Sequence, residues 1–563
     1  MSSDDAASPT ADWARSGVVA LTGHPGEPPL VPPGEAATLA RRVAARLAAA
    51  TEGTAFPVRV DGPALLGERA AFTGRGRAGP VSVGGACRLL ATSDGWAAVS
   101  CARADDPLLL GALVGAELPT DVWPAVAAWS LRHTAAELAE RAALLGLAAA
   151  PVGQPTDVRA LPTPGPSRSV AGLLVVDFSA LWAGPLCAHL LGLAGAQVVK
   201  VETPQRPDGA RRGNPDFYRL LHAGHRAVQL DPATPAGRRA MSALVDAADI
   251  VIEASRPRAL AGFGLDAQAA VERGAIWVSI TANGRDSPRI GFGDDVAAGA
   301  GLVAFDEQGS PVFCGDALAD PLTGLVAAEL ALSAPENGRG RLFDIAMSDV
   351  IAATMTRPAP GPTDTGQPTN PTTTPTSTRH TPSPTNTTQP TNTTSTRHSP
   401  GPAPGPAPGP APGAGPAPAP GAAPGPGAGP APGAGAGPGP GAGPAPAPAP
   451  GAGAGPGAGA APGPGAGPAP APGAGAGPGA GAGPASTNQL ATTAQAPPLA
   501  TSTRHARSAR RAAASGSVDT WVVDTPVGPV PVAEPRHRAV TGNAPEPGEH
   551  TAEVLRALGI PPP

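Results

Sequence analysis

Four apolar runs of strand length recur between residues 173 and 281: LLVVDF at 173–178, QVVKVE at 197–202, IVIE at 250–253 and AIWVSIT at 275–281. Continuous apolar character, rather than strict alternation, is what a strand covered on both faces needs. Between the runs lie stretches with helical character, among them LCAHLLGLAG, which Gly195 ends, and the segments Thr234–Ala248 and Leu265–Arg273. Strands alternating with helices predict an α/β fold built on a doubly wound, mostly parallel sheet. In such a sheet the ligand crevice lies beyond the carboxyl ends of the strands. The segments placed there are Ser179–Ala183, Thr203, Ala254–Pro257 and Ala282–Gly284. No GxGxxG follows the first strand, so a dinucleotide is not indicated.

Residues 1–160 read as a smaller α/β unit. Gly34–Thr51 has helical spacing, with Leu39, Val43 and Leu47 on one side. Val81–Ala102 predicts two strands about a Ser93-Asp94-Gly95 turn. Asp105-Asp106-Pro107 opens another helix, and a further one is predicted over Ala135–Ala149. No catalytic constellation is visible in this unit. The stretch 357–515 is of another kind. Glycine and proline crowd there, 31 of the chain's 75 glycines and 39 of its 76 prolines, and the motif TSTRH occurs three times, ending at His380, His398 and His505. Such sequence has too little to bury to offset chain entropy, which predicts a disordered insertion, with an interaction tract as the alternative. Arg504, Arg507, Arg510 and Arg511 near its end read as solvated charge.

The net charge of -5 argues against a nucleic-acid partner. Four scattered cysteines without a CxxC pair suggest a reducing compartment and no zinc site. The acidic, polar start does not read as a signal peptide, and no apolar run reaches about 18 residues. A cytoplasmic protein without a membrane partner is expected.

The acidic loop GDALAD at 315–320 runs through Pro321 into a long apolar segment. Asp before Pro before an apolar run places Asp320 at a helix N-cap. Helix N–H groups there would keep its carboxylate ionised. A carboxylate at a helix mouth serves as a cap, a metal ligand or a nucleophile, and the cap is the commonest of these.

Several stretches resemble the family III CoA-transferases (the CaiB/BaiF family) in the family's order. They are VVDFSALWAGPLCAHLLGLAGAQVVKVE at 175–202, RAVQLDPATPAGR at 226–238, ADIVIEASRPRALAGFGLD at 248–266, ADPLTGLVAA at 319–328, GRGRLFDIAMSDV at 338–350 and PEPGEHTAEVLRALGI at 545–560. WARSGVVALTG, DGWAAVSCARADDP and AAELAERAALLGLAAAPVG, all before residue 154, resemble segments that the family places downstream of the sheet, so the segment order looks rearranged or partly duplicated. The resemblance implies a smaller α/β domain over 1–160, a Rossmann-like domain over 170–356, the insertion over 357–515 and a closing segment over 516–563.

The implied activity moves CoA between carboxylic acids through an aspartyl-CoA thioester, without a metal or a permanently bound cofactor. CoA and acyl-CoA are substrates, a carboxylic acid is the partner, and neither nucleic acid nor membrane is involved. Asp320 matches the family's nucleophile, with Asp316 the nearest competitor. Leu181, Trp182 and Ala183 match residues that lie against CoA. Thr203, His225, Ala254 and Ser255 fall at other contact positions with different residue types. His225 stands where lysine is common, and Gly262 where an arginine reaches the CoA phosphates; Arg226, Arg256 and Arg258 are nearby cations that offer a substitute. Backbone N–H groups at Gly315 or in Gly293–Asp295 are candidates for oxyanion stabilisation. Family members are interlocked dimers, which implies a homodimer or a chain that supplies both halves itself. Two alternatives stand: a 2-methylacyl-CoA racemase, whose required histidine is missing from GFGDDVAAGAG at 291–301, and a non-catalytic CoA-binding or scaffold protein.

Overall fold

A computed structural model of the chain describes residues 8–153, 158–254, 257–355, 508–512, 520–526 and 528–563. The Gly/Pro/Ala tract, the three TSTRH repeats, Arg504 and Arg507 lie outside these residues. The first elements are α1 (Pro9–Ser16), α2 (Ala36–Thr51), the short α3 (Gly62–Leu65) and α4 (Glu68–Thr73), β1 (Cys87–Ala91), β2 (Trp96–Ser100), α5 (Asp106–Val114), α6 (Trp123–Ser130), α7 (Ala135–Leu145) and β3 (Ala149–Pro151). A capping box between Thr134 and Glu137 starts α7. This helix stops four residues short of the expected Ala149. Gly146 takes a left-handed conformation, φ 69°, and ends it, which lets Ala149–Pro151 pair with β2 as a third antiparallel strand.

Residues 1–160, expected as one unit, contribute to several separate cores. Leu90, Val99, Leu110, Leu113, Leu138 and Leu147 form a core of their own. Trp13, Val18, Val43, Leu47 and Leu66 instead join the core that covers the main sheet.

That sheet is built from β4 (Leu174–Asp177), α8 (Ala183–Leu193), β5 (Gln197–Glu202), α9 (Pro215–His222), β6 (Arg226–Gln229), α10 (Pro235–Ala247), β7 (Ile250–Glu253), α11 (Pro257–Gly262), α12 (Ala267–Glu272) and β8 (Ile276–Thr281). There follow α13 (Gly293–Gly299), a ribbon of β9 (Val303–Phe305) and β10 (Pro311–Phe313), α14 (Ala319–Ala331), β11 (Arg341–Ala346) and α15 (Met347–Met355). The six strands run parallel in the order β11-β8-β7-β4-β5-β6. Alternate side chains divide between two faces. Val175, Val198, Ile250, Ile252 and Val278 pack toward α8, α14 and α15. Val176, Val199, Val228, Val251 and Trp277 pack toward α10 and α12. This is the doubly wound α/β sheet the apolar runs predicted. Strand order reverses between β4 and β7, so the crevice opens beyond Asp177 and Glu253.

The chain re-enters the described structure at Ser508. Arg510 and Arg511 are exposed, as solvated charges are, but each has a partner in a small sheet. They lie in β12 (Arg510–Ala512), which pairs with β13 (Thr520–Thr525), itself paired with β14 (Gly528–Pro531). Arg510 bonds Asp524, and the Arg511 guanidinium lies 5.1 Å from the Trp521 ring centroid. The two ends of the insertion are anchored close together in sequence terms. Thr354 accepts the Glu35 N–H at 2.9 Å, and Ser508 forms a bridge with Leu30. At the far end of the sheet, α16 (Thr551–Ala557) covers the β6 edge. The Ala227 N–H donates to His550 Nδ1 and the Gln229 N–H to Thr551 Oγ1, so the edge strand is not left open.

The crossing of α8 and α14 leaves no room at Gly324. A Cβ there would stand 2.6 Å from the Ala183 carbonyl oxygen and 3.0 Å from Leu186 Cβ. Gly324→Ala gains helix propensity of ~1 kcal/mol. Overpacking costs about 1–3 kcal/mol, and the contact here is with backbone. Net destabilisation is therefore expected in urea unfolding, and unchanged or raised stability would show that the two helices can separate.

Candidate active site

Three helix starts and one short helix of the N-terminal part converge above the crevice. α8 brings Trp182 and Ala183, α13 brings Gly293 and Asp294, α14 brings Asp320, and α4 brings Arg69. Asp320 is not the N-cap that its sequence suggested. Leu318 occupies that position, and Asp320 is the second helical residue, its N–H donating to the Ala317 carbonyl at 2.9 Å. The loop before it carries Ala317 at φ 46°, a left-handed backbone that non-glycine residues rarely adopt.

The neighbouring carboxylate has a different fate. Asp316 is 1% exposed, and Arg69 clasps it from two nitrogens, Nε to Oδ2 at 2.9 Å and Nη2 to Oδ1 at 2.5 Å. The Arg69 guanidinium also sits over the Trp182 ring, 5.0 Å from its centroid. Burial alone would lower the Arg69 pKa; Asp316, with Asp294 and Asp320 behind it, overrides that and raises it.

Asp320 is half-buried, and its second oxygen lies so close to Gly293 that a Cβ there would meet it at 2.4 Å. Only a glycine admits this approach. The Gly293 N–H donates to the carboxyl. Asp320 was expected to stay ionised, and the structure instead raises its pKa toward neutrality. Its pKa is raised to about 7: desolvation raises it most, Arg69 pulls it down, Asp294 and Asp316 raise it, and the Gly293 N–H lowers it. Asp294 is pushed up to about 6, first by burial and then by Asp316. It accepts the Ala317 N–H at 2.8 Å and so shapes the loop that presents Asp320. Of the backbone donors suggested for an oxyanion, that of Gly315 is already committed to Thr22 Oγ1 at 3.2 Å. Among the described residues no cluster of His, Cys, Asp and Glu has the makeup of a metal site.

The candidate CoA-contact residues separate into two groups. Leu181, Trp182 and Ala183 stand just beyond β4, and Ala254 just beyond β7, on either side of the switch point. Leu181 is 41% exposed at φ 70°; Trp182 is buried, packed edge-on against Phe217 at 5.3 Å. The Ala254 Cβ approaches Gly184. Thr203 follows β5, where its hydroxyl accepts the Arg206 N–H at 3.2 Å. His225 is not brought to the crevice. It precedes β6, at the amino ends of the strands, and its ring is buried against Gly192 and His222. Burial and Lys200 push its pKa down to about 3, so it is neutral. Arg226, at the same end, donates to Gln197. Arg258 and Gly262 are exposed on α11, while Ser255 and Arg256 lie outside the described residues.

Sequence reasoning passed over Arg69. It lies 247 residues from its partner in a unit that showed no catalytic pattern, and nothing in GERAAF sets it apart. Asp295 was also more consequential than its place in GDD suggested. It is 1% exposed, accepts from the Ser100 hydroxyl at 2.7 Å and the Phe292 N–H at 3.0 Å, and pairs with no cation among the described residues. Burial pushes it up to about 7.

A carboxyl whose folded pKa lies above its unfolded value contributes stability that is full below about pH 4 and is lost as pH rises through 7. Asp295→Asn keeps an acceptor oxygen without the charge. Urea unfolding should show the variant gaining on the parent between pH 4 and pH 8, by on the order of 2–4 kcal/mol from the size of the shift. A difference that stays flat with pH would mean that Asp295 ionises freely in the fold.

Known proteins share this sequence pattern. Residues 170–391 match the model of CoA-transferase family III. A succinate–glutarate CoA-transferase of Agrobacterium fabrum is 31% identical over 216 residues, 34% of this chain and 54% of that protein. A probable fatty acyl-CoA transferase of Mycobacterium tuberculosis is 32% identical over 210 residues, again 34% of this chain and 53% of the other. A solved structure from Mycobacterium tuberculosis is 31% identical and covers 33% of this chain and 58% of that one, with a TM-score of 0.31, so the fold rests on the geometry above. The chain spans about half the length of the curated relatives it matches. Over residues 170–391 the chain is similar to CoA-transferase family III.

Proposed function

We propose that the protein transfers CoA between carboxylic acids with Asp320 as nucleophile. The observation that carries this reading is the contrast between two aspartates four residues apart. Asp316 is buried and spent on Arg69, whereas Asp320 is half-buried, bonded to one backbone N–H and free of a clasping cation. The Asp320 carboxylate attacks the thioester carbonyl of acyl-CoA and expels the CoA thiolate, leaving a mixed anhydride. The thiolate attacks the aspartyl carbonyl, releases the donor acid and leaves an aspartyl-CoA thioester. The acceptor carboxylate attacks that thioester, and the returning thiolate takes the acceptor's acyl group, which restores Asp320. Splitting the exchange this way replaces one hard step by several easier ones.

Leu181, exposed at the switch point with buried Trp182 and Ala183 behind it, offers an apolar surface to CoA. Arg69 holds Asp316 in place and, as the site's cation, favours the ionised nucleophile. The racemase alternative needs a second acid–base group across the substrate. The charged groups acting on Asp320 are Arg69, Asp294 and Asp316, none of them a histidine, which speaks for transfer.

Hydroxylamine traps an aspartyl anhydride or thioester as a hydroxamate. Mass spectrometry after incubation with succinyl-, glutaryl- and long-chain acyl-CoA should find the label on Asp320, and the panel reads out the acyl preference. Asp320→Asn should fold normally and lose both label and transfer, while Asp316→Asn should keep the label if it folds. A label elsewhere, or full transfer by Asp320→Asn, would sink the assignment. Because the nucleophile must be ionised, labelling should rise with pH with its midpoint near 7. Asp294→Asn removes a repelling charge and should move that rise to lower pH; a shift the other way would mean that Asp294 assists the nucleophile.

A further inference from the structure

Leu181 combines two unfavourable features. It holds a left-handed backbone at φ 70°, and it exposes 41% of a large apolar residue at the mouth of the crevice. Strain of this kind persists only where the surroundings over-determine it, and it collects at ligand clamps. The surroundings here are a wholly buried ion cluster. Lys200 in β5 has no exposed surface; its Nζ pairs with Asp208 Oδ2 at 2.9 Å and donates to the Ser179 carbonyl at 2.9 Å. The other oxygen of Asp208 accepts the N–H of Leu181 at 3.0 Å and that of Ala210 at 2.9 Å. Asp177, the last residue of β4 and Lys200's register partner, accepts the Ser179 N–H at 2.8 Å. Every polar group of the turn that these residues reach is thus fastened to one buried charge centre, and the turn then delivers Trp182 into the core.

We infer that Asp208 and Lys200 are positioning residues: they lock the 178–182 turn, through the Leu181 N–H and the Ser179 carbonyl, in the shape that presents Leu181 to the CoA moiety. A buried lysine with two aspartates is poor value as a stabiliser, since desolvation cancels much of the attraction. What it supplies here is a fixed backbone at a place where a leucine would otherwise relax out of the left-handed region. The inference rests on the proposed reading for the identity of the ligand, but not for the clamp itself.

Ala and Gly at position 181 separate backbone from side chain, since both remove the leucine and only glycine tolerates φ 70° without a clamp. The dissociation constant for CoA, by calorimetry, and the melting temperature are measured for Leu181→Ala and Leu181→Gly, each with and without Asp208→Ala. With Asp208 present the two substitutions should bind CoA within about twofold of each other. With Asp208→Ala, the alanine form should bind at least tenfold more weakly than the glycine form, and its melting temperature should be lower. Equal affinities in the Asp208→Ala background would overturn the assignment, because a purely structural aspartate would lower the melting temperature of both forms alike. Should Asp208→Ala alone fail to fold, the Asp208→Ala/Leu181→Gly protein should recover folding. If that double variant stays unfolded while Leu181→Gly folds, the aspartate supports the core and not the turn. A parent that binds no CoA, with no hydroxamate on Asp320, refutes the proposed function, and the melting-temperature cycle still decides the clamp.

Discussion

The candidate site depends on one cation in a field of carboxylates. Asp294, Asp316 and Asp320 converge where helix starts meet, and three ionised groups so close in a desolvated place would repel one another. Arg69 makes the arrangement tolerable. It spends its geometry on Asp316, with two hydrogen bonds, and only its longer-range field on the other two. That unequal distribution differentiates chemically identical side chains. One becomes a fixed counter-ion, one shapes the Ala317 turn, and one stays near the midpoint of its titration at neutral pH. The same guanidinium lies over Trp182, so the electrostatics of the aspartates and the packing of the crevice wall share a residue.

The N-terminal part therefore does more than sit beside the sheet. Trp13, Val43 and Leu47 share the core of α14, and α4 delivers Arg69 to its loop. Sequence segments that resemble a downstream part of the family come first in this chain, and two of them touch the elements around the aspartates, Thr22 at Gly315 and Ser100 at Asp295.

The sheet was legible because its signal is local. A run such as LLVVDF or AIWVSIT must be buried on both faces, and the side chains do divide alternately between two helical layers. The positions flanking the switch point were legible for the same reason, since the end of a strand is where its apolar run stops. Asp320 was found, but its cap role and charge state were misjudged. Propensity describes an isolated helix start in water, whereas desolvation and two neighbouring aspartates decide the matter here. His225 was misplaced because its position was carried over by resemblance, while its side of the sheet follows from strand direction. Arg69 was invisible, as a contact across 247 residues leaves no periodic trace.

The anchoring of the chain on either side of the 356–507 stretch has a consequence for how this protein can vary. Thr354 and Ser508 are both tied to the short segment between Leu30 and Glu35, so the fold itself brings the two ends together. The loop-closure entropy of any intervening chain grows only as the logarithm of its length, about 0.6 kcal/mol for each doubling. Replication slippage in a repetitive gene segment can then lengthen or shorten the stretch by tens of residues with little thermodynamic selection against it. The site of insertion is, in that sense, an evolutionary free port: a gate in a closed wall through which sequence can be taken in without disturbing what the wall encloses.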